Sequence, residues 1–91
     1  MKHVDFKVPD GKMLKIDVEV KDNVVKEIDV RGDFFIHPED SLKDLEETLS
    51  EIQIDDVDKK FKEWIDSKDV EVIGFDGKDL KTAVSKSKDS D

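Results

Sequence analysis

Three stretches in the first third of the chain alternate polar and apolar residues with a period of two. They run from His3 to Val8, from Met13 to Val20 and from Val24 to Val30. Side chains two positions apart lie on the same face of a strand, so each stretch predicts a strand with one buried face. The side chains predicted to point inward are Val4, Phe6, Val8, Leu14, Ile16, Val18, Val20, Val24, Ile28 and Val30.

Turn-forming residues separate these three strands. Pro9-Asp10-Gly11 combines a fixed φ, a tolerant turn residue and a glycine that can take a positive φ, and Lys21-Asp22-Asn23 is a second short reversal. Both sequences favour a direct connection between neighbouring strands. We therefore predict a three-stranded antiparallel meander, with its mixed charges on a face open to solvent.

The period changes after Pro38, where apolar residues recur every three or four positions. Leu42, Leu45, Leu49 and Ile52 follow this spacing and predict a first helix. Pro38 suits the first helical position, and the acidic residues that follow it favour the positive end of the helix dipole. A helix after the sheet is typical of an α+β fold.

Two further helices are predicted downstream. Ile54-Asp55-Asp56 is a candidate cap for a second helix, in which Phe61, Trp64 and Ile65 lie on one side. This aromatic stripe is either core or a surface for a partner, and helical spacing against a sheet favours core. After a short extended piece at residues 70–73, Asp76 is positioned to cap a third helix.

The last residues, from Ser85 onward, contain no apolar side chain. Such polar ends are seldom held in place. We therefore predict one α+β domain over residues 1–84, with the meander packed on two to three C-terminal helices, and a flexible polar tail at residues 85–91.

Composition excludes several classes of function. A chain of 91 residues can bury one hydrophobic core, and its net charge of −9 opposes binding to nucleic acid or to acidic lipids. No apolar run approaches the length of a membrane span. The chain has no cysteine and no N-terminal signal pattern, so the expected location is the cytoplasm.

The sequence shows no set of residues with the spacing of a catalytic or metal site. His3 and His37 have no partner ligand at helical spacing, and the acidic group at residues 55–58 lacks the glycine and the terminal glutamate of a calcium loop. No glycine-rich phosphate loop or activated serine is apparent. We expect no catalytic residue, no bound cofactor and no metal in this chain.

The segment from Gly32 to Pro38 is unusual because two adjacent phenylalanines follow an aspartate. Neighbouring side chains on an extended backbone point to opposite faces, so Phe34 and Phe35 cannot both enter one core. One ring can be an exposed anchor for a partner beside Asp33 and His37, or both rings can be half-buried beneath the first helix. Asp33, Phe34, Phe35 and His37 are the candidate partner interface.

An ordered series of motifs resembles the C-terminal accessory domain of lipoate-protein ligases. The series comprises Gly11-Lys12-Met13-Leu14, the alternation Lys15 to Val20, the Asp22-Asn23 turn, Gly32-Asp33-Phe34-Phe35, His37-Pro38-Glu39, amphipathic Leu42 to Ile52, and Ile73-Gly74-Phe75-Asp76. The resemblance covers nearly the whole chain except its tail.

The resemblance implies a function within a two-part enzyme. In that family a large domain carries the catalytic lysine and uses ATP, magnesium and lipoate to form lipoyl-adenylate. The large domain then transfers the lipoyl group to E2 or H-protein domains. The small domain completes the activation step. Because the chain begins at Met1 and contains only the small domain, we expect the archaeal arrangement of separate catalytic and accessory subunits. The alternative is a free-standing protein-binding regulatory module unrelated to lipoate.

Overall fold

Two antiparallel sheets and three α-helices make up the part of the chain that the computed structural model describes, residues 1–9 and 12–89. In chain order the elements are β1 (Lys2–Lys7), β2 (Met13–Lys21), β3 (Val24–Gly32), β4 (Phe35–His37), α1 (Ser41–Thr48), β5 (Ile52–Gln53), a 3₁₀ turn (Ile54–Asp56), α2 (Val57–Lys68), β6 (Glu71–Ile73) and α3 (Gly77–Asp89). The predicted α+β class is confirmed.

The larger sheet contains the predicted meander. Its strand order is β1-β2-β3-β5, and every pairing in it is antiparallel. Asp22 and Asn23 have φ values of 53° and 67°, the left-handed conformation of a two-residue hairpin loop. The predicted first turn includes Asp10 and Gly11, which lie outside the described residues; beside them the Val8 amide donates to the Lys12 carbonyl oxygen over 2.8 Å.

One predicted inward position in the sheet is wrong. The register between β2 and β3 shifts at Glu19 and Val20, so that Val20 pairs with Val25. This bulge places Val25 in the core with no exposed surface, and Val24 is only half-buried. The period-two pattern pointed to Val24 because it assumes an unbroken ladder.

The core lies between the inward face of the large sheet and the layer of helices. Helix α3 packs on β1 and β2, and α2 packs on α3. Phe61 and Trp64 are 2% and 3% exposed, so the aromatic stripe of the second helix is core, as the helical spacing favoured. The indole N–H of Trp64 donates to an Asp44 carboxylate oxygen over 2.6 Å, which joins α2 to α1.

Helix α1 is shorter than predicted at both ends. It begins at Ser41, and the Ser41 amide donates to the Pro38 carbonyl oxygen, so Pro38 lies in a preceding turn and not at the first helical position. The helix ends at Thr48, and the left-handed backbone of Glu51 (φ 66°) redirects the chain. Ile52 therefore belongs to strand β5, where it pairs with Val25, and not to the helix.

Helix α1 also covers the open edge of β3. The Val30 amide donates to a Glu46 carboxylate oxygen over 2.8 Å. Partial burial raises the pKa of the Glu46 carboxyl, and this hydrogen bond acts in the opposite direction. The α1–β3 contact therefore gives a backbone donor at the sheet edge a partner.

The later helices start differently from each other. Asp76 and Asp79 exchange two 3.0 Å hydrogen bonds between amides and carboxylates, which is the predicted cap of α3. At the start of α2, Asp56 makes no side-chain cap, and a 3₁₀ turn leads into the helix where a cap was expected. Within the described residues, no helix has the length and apolarity to cross a membrane.

Helix α3 also continues past the predicted boundary at Ser85. It extends to Asp89, and Ser87 is only 3% exposed, with its hydroxyl donating to the Val84 carbonyl oxygen over 2.6 Å. Residues 85–89, predicted as the start of a flexible tail, are therefore helical, because the polar side chains of this turn can be satisfied by the helix backbone. Residues 90 and 91 lie outside the described part of the chain.

Candidate docking surface

The Gly32–Pro38 segment contains strand β4, which belongs to a separate two-stranded sheet. Strand β4 pairs antiparallel with β6, with Phe35 opposite Ile73, Ile36 opposite Val72 and His37 opposite Glu71. Alternation then gives the small sheet two different faces. Its inner face presents Ile36, which is 8% exposed, to the core, and its outer face carries the other two pairs.

The outer face of this sheet exposes two large apolar side chains side by side. Phe35 is 77% exposed and Ile73 is 55% exposed, and the register places them directly opposite each other. Met1 at the chain terminus is the other large apolar side chain with comparable exposure among the described residues. A paired aromatic and aliphatic side chain in water is typical of an interaction site.

Phe34 has the opposite environment from Phe35. Its ring packs edge-to-face on Phe75, with 5.0 Å between centroids and an interplanar angle of 81°. Phe75 in turn packs on Phe61, with 5.5 Å between centroids. Phe34 is therefore a half-buried anchor that ties the segment to the core, and Phe35 is the ring presented to solvent.

Two glycines give the backbone this shape. Gly32 has a φ of 140°, and an added Cβ would collide with the Met13 carbonyl oxygen, which also accepts a 2.9 Å hydrogen bond from the Asp33 amide. Gly74 has a φ of 125°, and a Cβ there would lie 2.7 Å from the Cβ of Phe34. Only glycine fits where the chain enters β4 and leaves β6.

A shallow groove runs along this corner, with a volume of about 590 Å³. Its lining residues are Lys12, Gly32, Asp33, Phe34, Phe35 and Ile73. The groove is open to solvent and mixes apolar with charged groups. Such a surface is suited to a protein contact, since an aromatic anchor and nearby polar groups meet on one rigid element.

The structure brings the four predicted interface residues to one corner but gives them different positions. Asp33, Phe35 and His37 are exposed, and Phe34 is half-buried. Ile73, which belongs to the same outer face, was not among the predicted residues. Ile73 lies two positions after the charged Glu71, so on a strand both share one face, and this is the signal that could have suggested an exposed position. The pairing with β4 could not be seen, because it joins residues far apart in sequence.

His3 lies in a separate charged cluster on the outer face of the large sheet. Its ring nitrogens lie 2.9 Å from an Asp17 oxygen and 2.7 Å from an Asp5 oxygen. The hydrogen bonds to Asp17 and then to Asp5 raise the pKa of His3. Among the residues described, no group of three or more His, Asp and Glu side chains is arranged to hold a metal ion.

Comparison with known proteins gives one relevant structural neighbour. No protein-family model and no curated protein matches the chain. The chain is similar to a chain in the structure of an archaeal lipoylation system from Thermoplasma acidophilum, described as a bipartite lipoate protein ligase and its E2 lipoyl domain, with a TM-score of 0.76 and 25% sequence identity. The match covers 92% of this chain and 93% of that chain. This chain therefore has a lipoate-ligase-related fold.

Proposed function

We propose that this chain is the accessory subunit of a two-part lipoate protein ligase. It docks on a separate catalytic subunit and enables ATP-dependent formation of lipoyl-adenylate, from which E2 or H-protein domains are lipoylated. The observation that carries this proposal is the similarity to a chain of a bipartite ligase system, since it extends over almost the full length of both chains. A match to one domain of a larger chain would have left most of that chain uncovered.

The outer face of the small sheet supports docking as the role of this chain. Phe35 is exposed on a strand whose backbone is anchored to the core by Ile36 and Phe34. A backbone that is ordered before a partner arrives lowers the entropy cost of binding. In the proposal, Asp33, Phe35 and His37 contact the catalytic subunit, and Phe34 supports them from the core.

Docking would act on the catalytic step through a shift in populations. In the proposal, the accessory chain binds the catalytic subunit best when loops of that subunit are closed around ATP, magnesium and lipoate. Binding therefore raises the fraction of the closed, water-excluding state. No residue of this chain needs to touch the reacting atoms, and the catalytic lysine stays in the partner.

The test uses the chain with a ligase catalytic subunit from the same organism. Lipoyl-adenylate formation is measured from ATP and lipoate for the catalytic subunit alone, for this chain alone and for the mixture, with heat-denatured chain as the control. We expect the mixture to form lipoyl-adenylate at least about tenfold faster than the catalytic subunit alone, because a shift from a mostly open to a mostly closed population raises the reactive fraction by about this factor or more. Equal rates for the subunit alone and the mixture would overturn the proposal.

The alternative, a regulatory module for an unrelated enzyme, predicts a different result in a purification experiment. The tagged chain would then recover an enzyme with no lipoate activity and leave the ligase subunit unbound. Recovery of the ligase catalytic subunit supports the accessory role.

A further inference from the structure

The segments around the small sheet have an unusual charge composition. Residues 33–40 and 69–76 contain six carboxylates and no lysine or arginine, in a chain that has 16 basic residues in total. All six carboxylate residues are exposed. They are Asp33, Glu39, Asp40, Asp69, Glu71 and Asp76.

The basic residues that do form ion pairs lie away from the small sheet. Some carboxylates elsewhere have basic partners, as in Glu51 with Lys26 at 3.0 Å and Asp58 with Lys62 at 3.4 Å. Across residues 1–9 and 12–89, no ion pair involves any of the six carboxylates around the small sheet. Asp76 accepts the capping hydrogen bond from the Asp79 amide, and the six carboxylates together give this part of the surface an excess of negative charge.

The antiparallel pairing of β4 and β6 places these carboxylates around the exposed apolar pair. Asp33 precedes β4 and Asp76 follows β6, so both lie near the Phe35–Ile73 end of the sheet. Glu71 and the residues that follow β4 lie at the opposite end. The result is an apolar centre formed by Phe35 and Ile73, with an acidic rim at both ends.

We infer that this face docks Phe35 and Ile73 into an apolar recess of the catalytic subunit that is rimmed by lysine and arginine. The inference rests on the proposed function and adds the chemistry of the partner surface and the part played by Ile73. An apolar centre gives most of the binding energy in such an interface, and complementary rim charges guide and accelerate encounter.

The same charges argue against a second copy of this chain as the occupant. Two such faces brought together would oppose one acidic rim with another, and like charges across an interface are repelled. Lys12 is the only basic residue that lines the groove among the described residues, so a self-pairing would lack cations at most of its rim. A basic partner surface removes this conflict.

The experiment compares four forms of the chain in binding to the ligase catalytic subunit, by calorimetry at equilibrium and by surface-immobilised kinetics at low and high salt. The variants are Ile73→Ser at the apolar centre, Glu71→Lys at the rim, and Glu27→Lys on the outer face of the large sheet. Glu27→Lys makes the same change in net charge as Glu71→Lys at another exposed site. Thermal melting of each variant confirms that the chain is folded.

We expect Ile73→Ser to weaken binding by at least about tenfold, as loss of a central contact does. Glu71→Lys should slow association several-fold and reduce its dependence on salt, since a rim charge acts mainly on the association rate. Glu27→Lys should change neither quantity by more than about twofold.

The outcomes separate this inference from the proposed function. If the wild-type chain binds and both Ile73→Ser and Glu71→Lys bind as tightly as it does, the inferred surface is wrong and the accessory role stands. If the folded wild-type chain does not bind the catalytic subunit, both are wrong. Self-association of the chain through this face, or binding of this face to the lipoyl domain in place of the catalytic subunit, would also overturn the inference.

Discussion

The outer faces of the two sheets follow the same strand alternation and yet have different chemistry. On the large sheet, the outward positions are charged, with His3 between two aspartates and Asp17 also 3.9 Å from Arg31. On the small sheet, the outward positions are Phe35 and Ile73, surrounded by carboxylates without a described ion pair. The outer face of the large sheet is charged and solvated, and the outer face of the small sheet exposes an apolar pair to water.

In the proposed role, this difference separates the part of the domain that gives stability from the part that recognises a partner. The large sheet supplies the inward side chains of the core, while its outer charges are solvated and add little to stability, because exposed ion pairs are weak. The small sheet contributes mainly Ile36 to the core and keeps its most apolar outward pair exposed. Substitutions in the large sheet should therefore change the free energy of unfolding, and substitutions on the outer face of the small sheet should change binding to a partner.

The strongest test makes one chemical change in two places. Ile16 on the large sheet has no exposed surface, and Ile73 on the small sheet is 55% exposed. We expect Ile16→Ala to lower the free energy of unfolding by about 2–5 kcal/mol, because it leaves a cavity. Ile73→Ala should change it by less than about 0.5 kcal/mol. Denaturant unfolding of both variants measures the contrast, and equal losses would remove the distinction between the sheets.

The next largest effect concerns the glycine that ends the small sheet. Gly74→Ala forces an alanine to a φ of 125° and sets its Cβ against Phe34. We expect a loss of about 2–3 kcal/mol, from backbone strain together with the displaced ring. Thermal and urea unfolding measure it, with Lys59→Ala at an exposed site of α2 as the control. A loss no greater than that of the control would mean that the backbone at residue 74 and the Phe34 ring rearrange without strain.

The two adjacent phenylalanines should separate stability from binding. Phe34→Ala removes a half-buried ring that packs edge-to-face on Phe75, and we expect it to cost about 2 kcal/mol of stability. Phe35→Ala removes a ring that is 77% exposed and should cost less than about 0.5 kcal/mol. Its effect should appear in binding to the ligase catalytic subunit. If Phe35→Ala leaves binding intact and lowers the melting temperature, the segment is structural only.

The smallest expected effect is a pH dependence on the large sheet. Hydrogen bonds to Asp17 and Asp5 raise the pKa of His3 above its ordinary value of 6.5, so the protonated ring is favoured in the folded state. This stabilisation is fully present below pH 6.5 and is lost as the pH rises through the folded-state pKa. Melting temperatures of the wild type and of His3→Gln should converge as the pH is raised between about pH 5 and 8. A difference in melting temperature that stays the same at every pH would contradict a stabilising role for protonated His3.

The sequence predicted the meander and the core of α2 because their patterns are long. Strand β2 repeats its alternation over nine residues, and Phe61 and Trp64 recur at helical spacing, so each pattern is redundant. The adjacent Val24 and Val25 show where such a pattern fails. Both are suited to a buried strand position, and only the bulge at Glu19 and Val20 decides between them.

The candidate site could be predicted only in part for a similar reason. The sequence indicates that Phe34 and Phe35 face opposite ways, but which of them is exposed depends on the pairing of β4 with β6. These strands have three residues each and are distant in the chain, so neither carries a period long enough to reveal the other. The missing residue, Ile73, follows directly from that pairing.

The series of ring contacts from Phe34 through Phe75 and Phe61 to Trp64 also has a spectroscopic consequence. Trp64 is the single tryptophan and the chain has no tyrosine, so intrinsic fluorescence comes from one indole that is 3% exposed. Unfolding will expose this indole and shift its emission to longer wavelength. Phe35 takes no part in these ring contacts, so we expect a partner that covers Phe35 to leave the indole emission nearly unchanged. The protein thus carries an internal fluorophore. Without any added label, it distinguishes a misfolded variant from a folded variant that is altered only at the candidate docking surface.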